Sequence, residues 1–160
     1  MKKIDLTTTF QIFDQISEME VHDQQLIHAA KDGLKDSYSP YSKFKVGAAI
    51  LLSNGKIIKG SNQENAAYPM CLCAERVAIA AADAMYPKET ILAIAVTAKS
   101  PTKPIDKPIA PCGACRQVLC ETENKHNQKM KVIMQGEVGD IVLVNTAKDL
   151  LPLSFDSEFL

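Results

Sequence analysis

The chain has 160 residues, of which 46% are hydrophobic and 23% are charged, and its formal net charge is −1. A chain of this length is typical of one compact domain, and the composition is ordinary for a globular protein. No block of like charges occurs, which argues against a surface dedicated to nucleic acid. We therefore expect a single domain over residues 21–160 that does not bind nucleic acid.

The N-terminus and the cysteines predict a cytoplasmic protein. No hydrophobic stretch follows the two N-terminal lysines, so this segment does not resemble a secretory signal, and no apolar run is long enough to span a membrane. The cysteine count of five is odd, which in a reducing compartment indicates metal-binding or catalytic thiols rather than disulfides.

Helices and strands alternate along the chain. Residues 1–20 are the least regular part, and 7–16 fits either an arm or a short edge strand. After them, apolar spacing and turn residues predict helices and strands. The predicted helices are 21–37, 74–85, 113–124 and 146–151, and the predicted strands are 45–52, 56–63, 91–98, 130–135 and 140–145. Since helices lie between strands, we predict an α/β fold with three layers, α/β/α, around a five-stranded mixed sheet.

Two short segments carry residues typical of a metal site, and each lies where a helix is predicted to begin. Cys112 and Cys115 are three residues apart, so on the first turn of a helix they share a face. Cys73 would complete a set of three thiolates. Three protein ligands with an open fourth position are typical of catalytic zinc, and the two helix N-termini would stabilise the thiolates.

Glu75 follows Cys73 by two residues. If Cys73 precedes the helix, both side chains can converge on one site, where the carboxylate could move protons without ligating the metal. Arg76 and Arg116 each follow a site residue directly, and either could donate a hydrogen bond to a thiolate and withdraw negative charge.

A structural zinc site is the alternative interpretation, because a lone C-x-x-C is often a zinc knuckle or a redox pair. Such a site would need a fourth ligand, for which Cys71 is the first candidate and Cys120 the second.

Around these residues the chain resembles a known family, the cytidine deaminases of the small-subunit type. The resemblance extends from about residue 25 to the end and does not include residues 1–20. It rests on PYSKFKVGAAI at 40–50, SNQENAAYP at 61–69, CAERVAI at 73–79, PCGACRQVL at 111–119 and DLLPLSF at 149–155. It implies hydrolytic deamination of cytidine and deoxycytidine in pyrimidine salvage, with one Zn²⁺ per chain.

The resemblance also implies roles for individual residues. Zinc is held by Cys73, Cys112 and Cys115, and Glu75 moves the protons. Asn62 and Glu64, two apart at a strand end, hold the ribose hydroxyls. The remaining implied contacts are an apolar contact from Phe44, a pocket-lining Tyr68, the backbone of Ala74 against the base and, in a homotetramer with shared sites, Phe155 reaching a neighbouring subunit's pyrimidine.

Two features depart from the family pattern, and other functions stay open. Cys71 stands where a non-cysteine residue is expected, and the proline-containing stretch 100–109 is long enough to change the rim of the pocket. A deaminase with another substrate is one rival. A non-catalytic zinc module with four protein ligands, which would not need Glu75, is the other.

Overall fold

The computed structural model describes residues 1–160 except for the side chain of Phe159. The longer helices are α1 (Val21–Gly33), α2 (Ala74–Met85) and α3 (Gly113–His126). The strands are β1 (Gln11–Phe13), β2 (Lys45–Leu52), β3 (Ile57–Ser61), β4 (Ile91–Lys99), β5 (Lys131–Gln135) and β6 (Ile141–Val144), and a 3₁₀ turn covers Ala147–Leu150. Among the described residues, no helix has the length and apolar character needed to cross a membrane.

The strands form one sheet in the order β1-β6-β5-β4-β2-β3. Only β4 and β5 run parallel, and α3 connects them, while the other neighbours are antiparallel. The prediction of five strands is wrong by one, because the N-terminal segment adds β1 alongside β6. A three-residue strand at a sheet edge is too short to show alternating hydrophobicity, so its sequence gives no clear signal.

The two faces of the sheet are covered by different helices, which confirms the three-layer arrangement. On one face, α1 packs Leu26, Ile27 and Ala30 against the sheet, in contact with β2, β3, β4 and β5. On the other face, α2 and α3 share a second apolar cluster that includes Ala78 and Leu119. Both helices that begin at the predicted metal ligands therefore lie on the same side of the sheet.

Two glycines bring helices into direct contact with strand backbones. A Cβ atom at Gly60 in β3 would lie 2.4 Å from the carbonyl oxygen of Ala74 and 2.5 Å from the backbone nitrogen of Ala78. A Cβ atom at Gly47 in β2 would lie 2.1 Å from the carbonyl oxygen of Ala30. Contacts this short are sterically excluded, so the first turns of α2 rest directly on β3.

Candidate metal centre and adjoining cavity

The three predicted ligands converge at the N-terminal ends of α2 and α3. Cys73 and Cys112 are the residues immediately before these helices, and both have extended backbone conformations. Cys115 lies in the first turn of α3 and is fully buried. The three Sγ atoms lie within 4.8 Å of one another, and those of Cys73 and Cys112 are 3.9 Å apart.

This spacing fits a zinc ion. With Zn–S bonds of about 2.3 Å, sulfurs at tetrahedral positions lie about 3.8 Å apart, close to the distance between Cys73 and Cys112. Neither candidate fourth ligand belongs to the cluster. The sulfur of Cys71 accepts a hydrogen bond from the backbone N–H of Asn65 at 3.2 Å, and Cys120 is buried in the apolar core. The arrangement therefore leaves one coordination position open.

The thiols influence one another's protonation. A hydrogen bond with the thiol of Cys115 is the main cause that lowers the pKa of Cys73 to about 6, and the charge of Arg76 lowers it further. The same hydrogen bond, followed by burial, raises the pKa of Cys115. One thiolate is thus favoured within the cluster before any metal binds, and the positive end of α2 favours it as well.

Glu75 lies in the first turn of α2 with only 4% of its surface exposed. Burial is the main cause that raises the pKa of its carboxyl group, and hydrogen bonds from its own backbone N–H and from the thiol of Cys115 oppose that shift. Because burial raises its pKa, this carboxyl group takes up a proton more readily than an exposed glutamate, which suits a group that exchanges protons.

Glu75 and the ligands Cys73 and Cys112 line a cavity of about 340 Å³. Its other walls come from the segment before and within β2, the residues after β3, and the loop before α3. These walls consist of Ser42, Phe44, Val46, Asn62, Gln63, Glu64, Cys71, Leu72, Val96, Ile109 and Ala110. The cavity thus has the buried carboxyl group and two thiols on one side, and polar residues from the end of β3 on another.

The side chain of Asn62 is held by three hydrogen bonds. Its Oδ1 accepts from the hydroxyl of Ser37 at 2.6 Å and from the backbone N–H of Val46 at 2.8 Å. Its Nδ2 donates to the carbonyl of Phe44 at 3.0 Å, which leaves one N–H of the amide without a partner in the described structure.

Glu64 is fixed by the loop before β2. It accepts hydrogen bonds from the backbone N–H groups of Tyr41, at 2.8 Å, and Ser42, and also from the hydroxyl of Ser42. The bond from the Ser42 hydroxyl is the main cause that lowers the pKa of Glu64. Sequence reasoning missed both Ser37 and Ser42: Ser42 lies within the segment 40–50 that resembles the family, but its spacing from Glu64, like that of Ser37 from Asn62, gives no sign of a hydrogen bond more than twenty positions away.

The structure does not bring every predicted residue to this cavity. Phe44 lines it, and Ala74 is fully buried at the start of α2. Tyr68 lies in a neighbouring depression, where its ring meets that of Tyr41 edge-on at 6.3 Å. Phe155 as a whole residue is 58% exposed, and its backbone carbonyl oxygen accepts a hydrogen bond from the side chain of Gln117 at 2.8 Å. Neither residue lines the cavity of its own chain.

The guanidinium of Arg116 donates hydrogen bonds to two carbonyl oxygens, that of Pro111 at 2.8 Å from Nε and that of Leu150 at 2.9 Å from Nη1. Both bonds go to the backbone, and they connect Pro111, the residue before Cys112, to the C-terminal segment. That Arg76 or Arg116 donates a hydrogen bond to a thiolate stays a prediction.

Comparison with known proteins agrees with this geometry. A family model described as the cytidine and deoxycytidylate deaminase zinc-binding region matches residues 20–132. A cytidine deaminase of Halalkalibacterium halodurans is 38% identical over 135 residues, which are 84% of this chain and 95% of that protein. A cytidine deaminase of Sporosarcina psychrophila is 42% identical over 137 residues, 84% of this chain and 92% of that protein.

Solved structures show the same likeness. The crystal structure of cytidine deaminase from Burkholderia pseudomallei superposes with a TM-score of 0.72 at 41% identity, covering 86% of this chain and all of that one. That from Mycobacterium tuberculosis gives 0.65 at 28% identity, covering 86% of this chain and 99% of that one. Fold, site and relatives together define a hydrolytic deaminase with a zinc-binding domain. The chain belongs to the cytidine and deoxycytidylate deaminase family.

Proposed function

We propose that the chain deaminates cytidine and deoxycytidine to uridine and deoxyuridine with release of ammonia, as a cytoplasmic enzyme of pyrimidine salvage. The observation that carries this proposal is the position of Glu75, buried beside three thiols at a cavity that also holds Asn62 and Glu64. The names of the relatives support cytidine as a substrate. We assign the activity to one domain, residues 21–160, to whose sheet the preceding residues 1–20 add the edge strand β1.

Cys73, Cys112 and Cys115 would hold one Zn²⁺ per chain. When bound, the ion acts as a Lewis acid and brings the pKa of water to about 7, which makes a nucleophile available at neutral pH.

Glu75 moves the protons of the reaction. Its carboxylate takes one proton from the attacking water and gives it to the ring nitrogen next to C4. It then takes the second proton of that water and gives it to the departing amino group, so that one water is consumed and one ammonia is formed. Its burial suits this cycle, because a carboxyl group with a raised pKa is a better proton donor and acceptor near pH 7.

The polar wall of the cavity positions the sugar. The remaining N–H of Asn62 and the carboxylate oxygens of Glu64 can bond ribose hydroxyls, while Phe44 offers an apolar surface to the nucleoside. The backbone at Ala74 would contact the base, and Tyr68 would border the entrance.

The test joins turnover with metal content. Purified protein should lower the ultraviolet absorbance of cytidine and of deoxycytidine and release one ammonia per turnover, with about one zinc per chain. Cys73→Ala, Cys112→Ala and Cys115→Ala should each lose zinc and activity, whereas the matched thiol removals Cys71→Ser and Cys120→Ser should keep both. Loss of zinc from Cys71→Ser would instead favour a four-ligand structural module.

We also propose a homotetramer in which Phe155 completes a neighbour's site. Its exposure, away from the cavity of its own chain, supports this assignment. Phe155→Ala should bind cytidine more weakly by about 0.5–1.5 kcal/mol beyond the loss of burial, as expected for an aromatic contact. Mixing Phe155→Ala chains with inactive Glu75→Gln chains should restore part of the activity. A fully active monomer in light scattering would contradict the shared site.

A further inference from the structure

A second cavity, of about 440 Å³, is lined by four lysines. Lys35 follows α1, Lys43 precedes β2, Lys45 lies in β2 and Lys99 lies in β4. Leu34, Ser100 and Pro101 complete the lining, and no carboxylate contributes to it. We call these seven residues the lysine groove.

The charges in the groove are only partly compensated. Lys35 pairs with Asp32 at 2.5 Å, but Asp32 is shared with Lys59, and Lys99 pairs with Glu137 at 2.9 Å. Lys43 acts on Glu64 at long range only, and Lys45 has no acidic partner among the described residues. The partial negative charge at the C-terminal end of α1 attracts cations, but Lys31, in the last turn of that helix, already supplies a positive charge there.

Two features of the groove are locally unfavourable. Lys45 and Lys99 are direct partners in the antiparallel β2–β4 ladder, and like charges in such positions destabilise a sheet. Lys43 has a φ of 58°, a left-handed conformation that is uncommon for residues other than glycine, asparagine and aspartate. Repulsive charge pairs and uncommon backbone conformations of this kind are typical of functional sites.

We propose that the lysine groove binds the di- or triphosphate group of a small phosphorylated anion. Ammonium groups on flexible stems are suitable partners for such a group, and those of Lys43 and Lys45 have no ion pair among the described residues. The site is separate from the substrate cavity, because residues alternate along one segment. Ser42, Phe44 and Val46 line the substrate cavity, whereas Lys43 and Lys45 line the groove.

The test is thermal unfolding of the zinc-loaded full chain with inorganic pyrophosphate at constant ionic strength. A ligand at about 100 times its Kd should raise the Tm by about 5 °C or more. Lys45→Gln/Lys99→Gln should abolish this rise, while the control Lys3→Gln/Lys88→Gln, which removes the same charge from exposed positions elsewhere, should retain it. If pyrophosphate removed zinc from the protein, the Tm of the wild type, of Lys45→Gln/Lys99→Gln and of Lys3→Gln/Lys88→Gln would fall alike. Zinc removal therefore cannot produce a rise in Tm that only Lys45→Gln/Lys99→Gln lacks.

Two further measurements complete the test. Calorimetric titration should show pyrophosphate binding to the wild type with a Kd that saturating uridine, the product of the proposed reaction, leaves unchanged, and ATP in place of pyrophosphate shows whether a nucleotide or the free anion is preferred. Without pyrophosphate and at low ionic strength, Lys45→Gln/Lys99→Gln should have a Tm at least equal to that of the wild type. An equal pyrophosphate response in wild type and Lys45→Gln/Lys99→Gln, or competition by uridine, would overturn the proposal.

Discussion

Two glutamates of this chain are buried to nearly the same extent but have different hydrogen-bond partners. Glu75 in α2 is 4% exposed and Glu123 in α3 is 5% exposed, and both helices cover the same face of the sheet. Glu123 accepts hydrogen bonds from the backbone N–H groups of Met130, at 2.7 Å, and Ala147, at 2.9 Å, and from the hydroxyl of Thr146 at 2.8 Å. Its carboxylate joins α3 to the two segments that follow.

Among the described residues, no other segment donates a hydrogen bond to Glu75 in this way. Its carboxyl group accepts hydrogen bonds from its own backbone N–H and from the thiol of Cys115, and burial raises its pKa. The number of donors contributed by other segments therefore separates a carboxylate that holds the fold together from one that can exchange protons. Burial alone would assign the same role to both.

The largest effect should come from Glu75→Gln. The amide keeps the shape of the side chain but cannot accept and return a proton, so turnover should fall by about 10²–10⁴-fold or more. Zinc content and Tm should stay close to those of the wild type. Ammonia release measures the loss, and substantial remaining turnover would remove Glu75 from the mechanism.

Glu123→Ala should affect stability instead. It leaves two buried backbone N–H groups without an acceptor, at about 1–3 kcal/mol each, so the free energy of unfolding should fall by about 3 kcal/mol. Urea denaturation gives this value. The kcat per folded molecule should be unchanged; a large fall in kcat would break the distinction between the two glutamates.

Glu64→Ala should combine a structural effect with an effect on substrate binding, because Glu64 holds a loop by hydrogen bonds and also lines the cavity. Loss of a charged partner for sugar hydroxyls should lower kcat/KM for cytidine by about 10–100-fold, corresponding to roughly 1.5–3 kcal/mol. Activity on free cytosine, which has no sugar, should change little. Ser42→Ala keeps the Glu64 carboxylate but removes both hydrogen bonds of the Ser42 hydroxyl, the one donated to Glu64 and the one accepted from the backbone N–H of Phe44, and so serves as the control. Equal losses on nucleoside and base would contradict the ribose role.

The smallest effect should come from Glu123→Gln. Oε1 of Glu123 accepts both backbone N–H groups, and the amide oxygen of glutamine can do the same. Only the charge is lost, so the free energy of unfolding should fall by about 1 kcal/mol. A loss as large as that of Glu123→Ala would show that the charge matters more than the acceptor geometry.

Local sequence patterns predicted most elements and the metal cluster. Helix 74–85 and strand 45–52 agree with the structure residue for residue, since an alanine-rich run before Pro87 and an apolar run before a glycine turn are unambiguous. The role of Glu123 could not be predicted, because its donors lie 7–24 residues away in segments with no shared motif. Likewise the lysine groove depends on strand register, which charges scattered from 35 to 99 do not reveal.

The contact of Gly60 with the start of α2 has a consequence for how the enzyme tolerates change. Because Gly60 has no side chain, the backbone of β3 lies in direct contact with the backbone of α2, the helix that carries Glu75 and follows Cys73. Even one methyl group at position 60 must push the helix outward, and misplacing reacting groups by about 1 Å can cost about 100-fold in rate. The accuracy of the chemistry is thus set partly by a residue that has no side chain and takes no part in it.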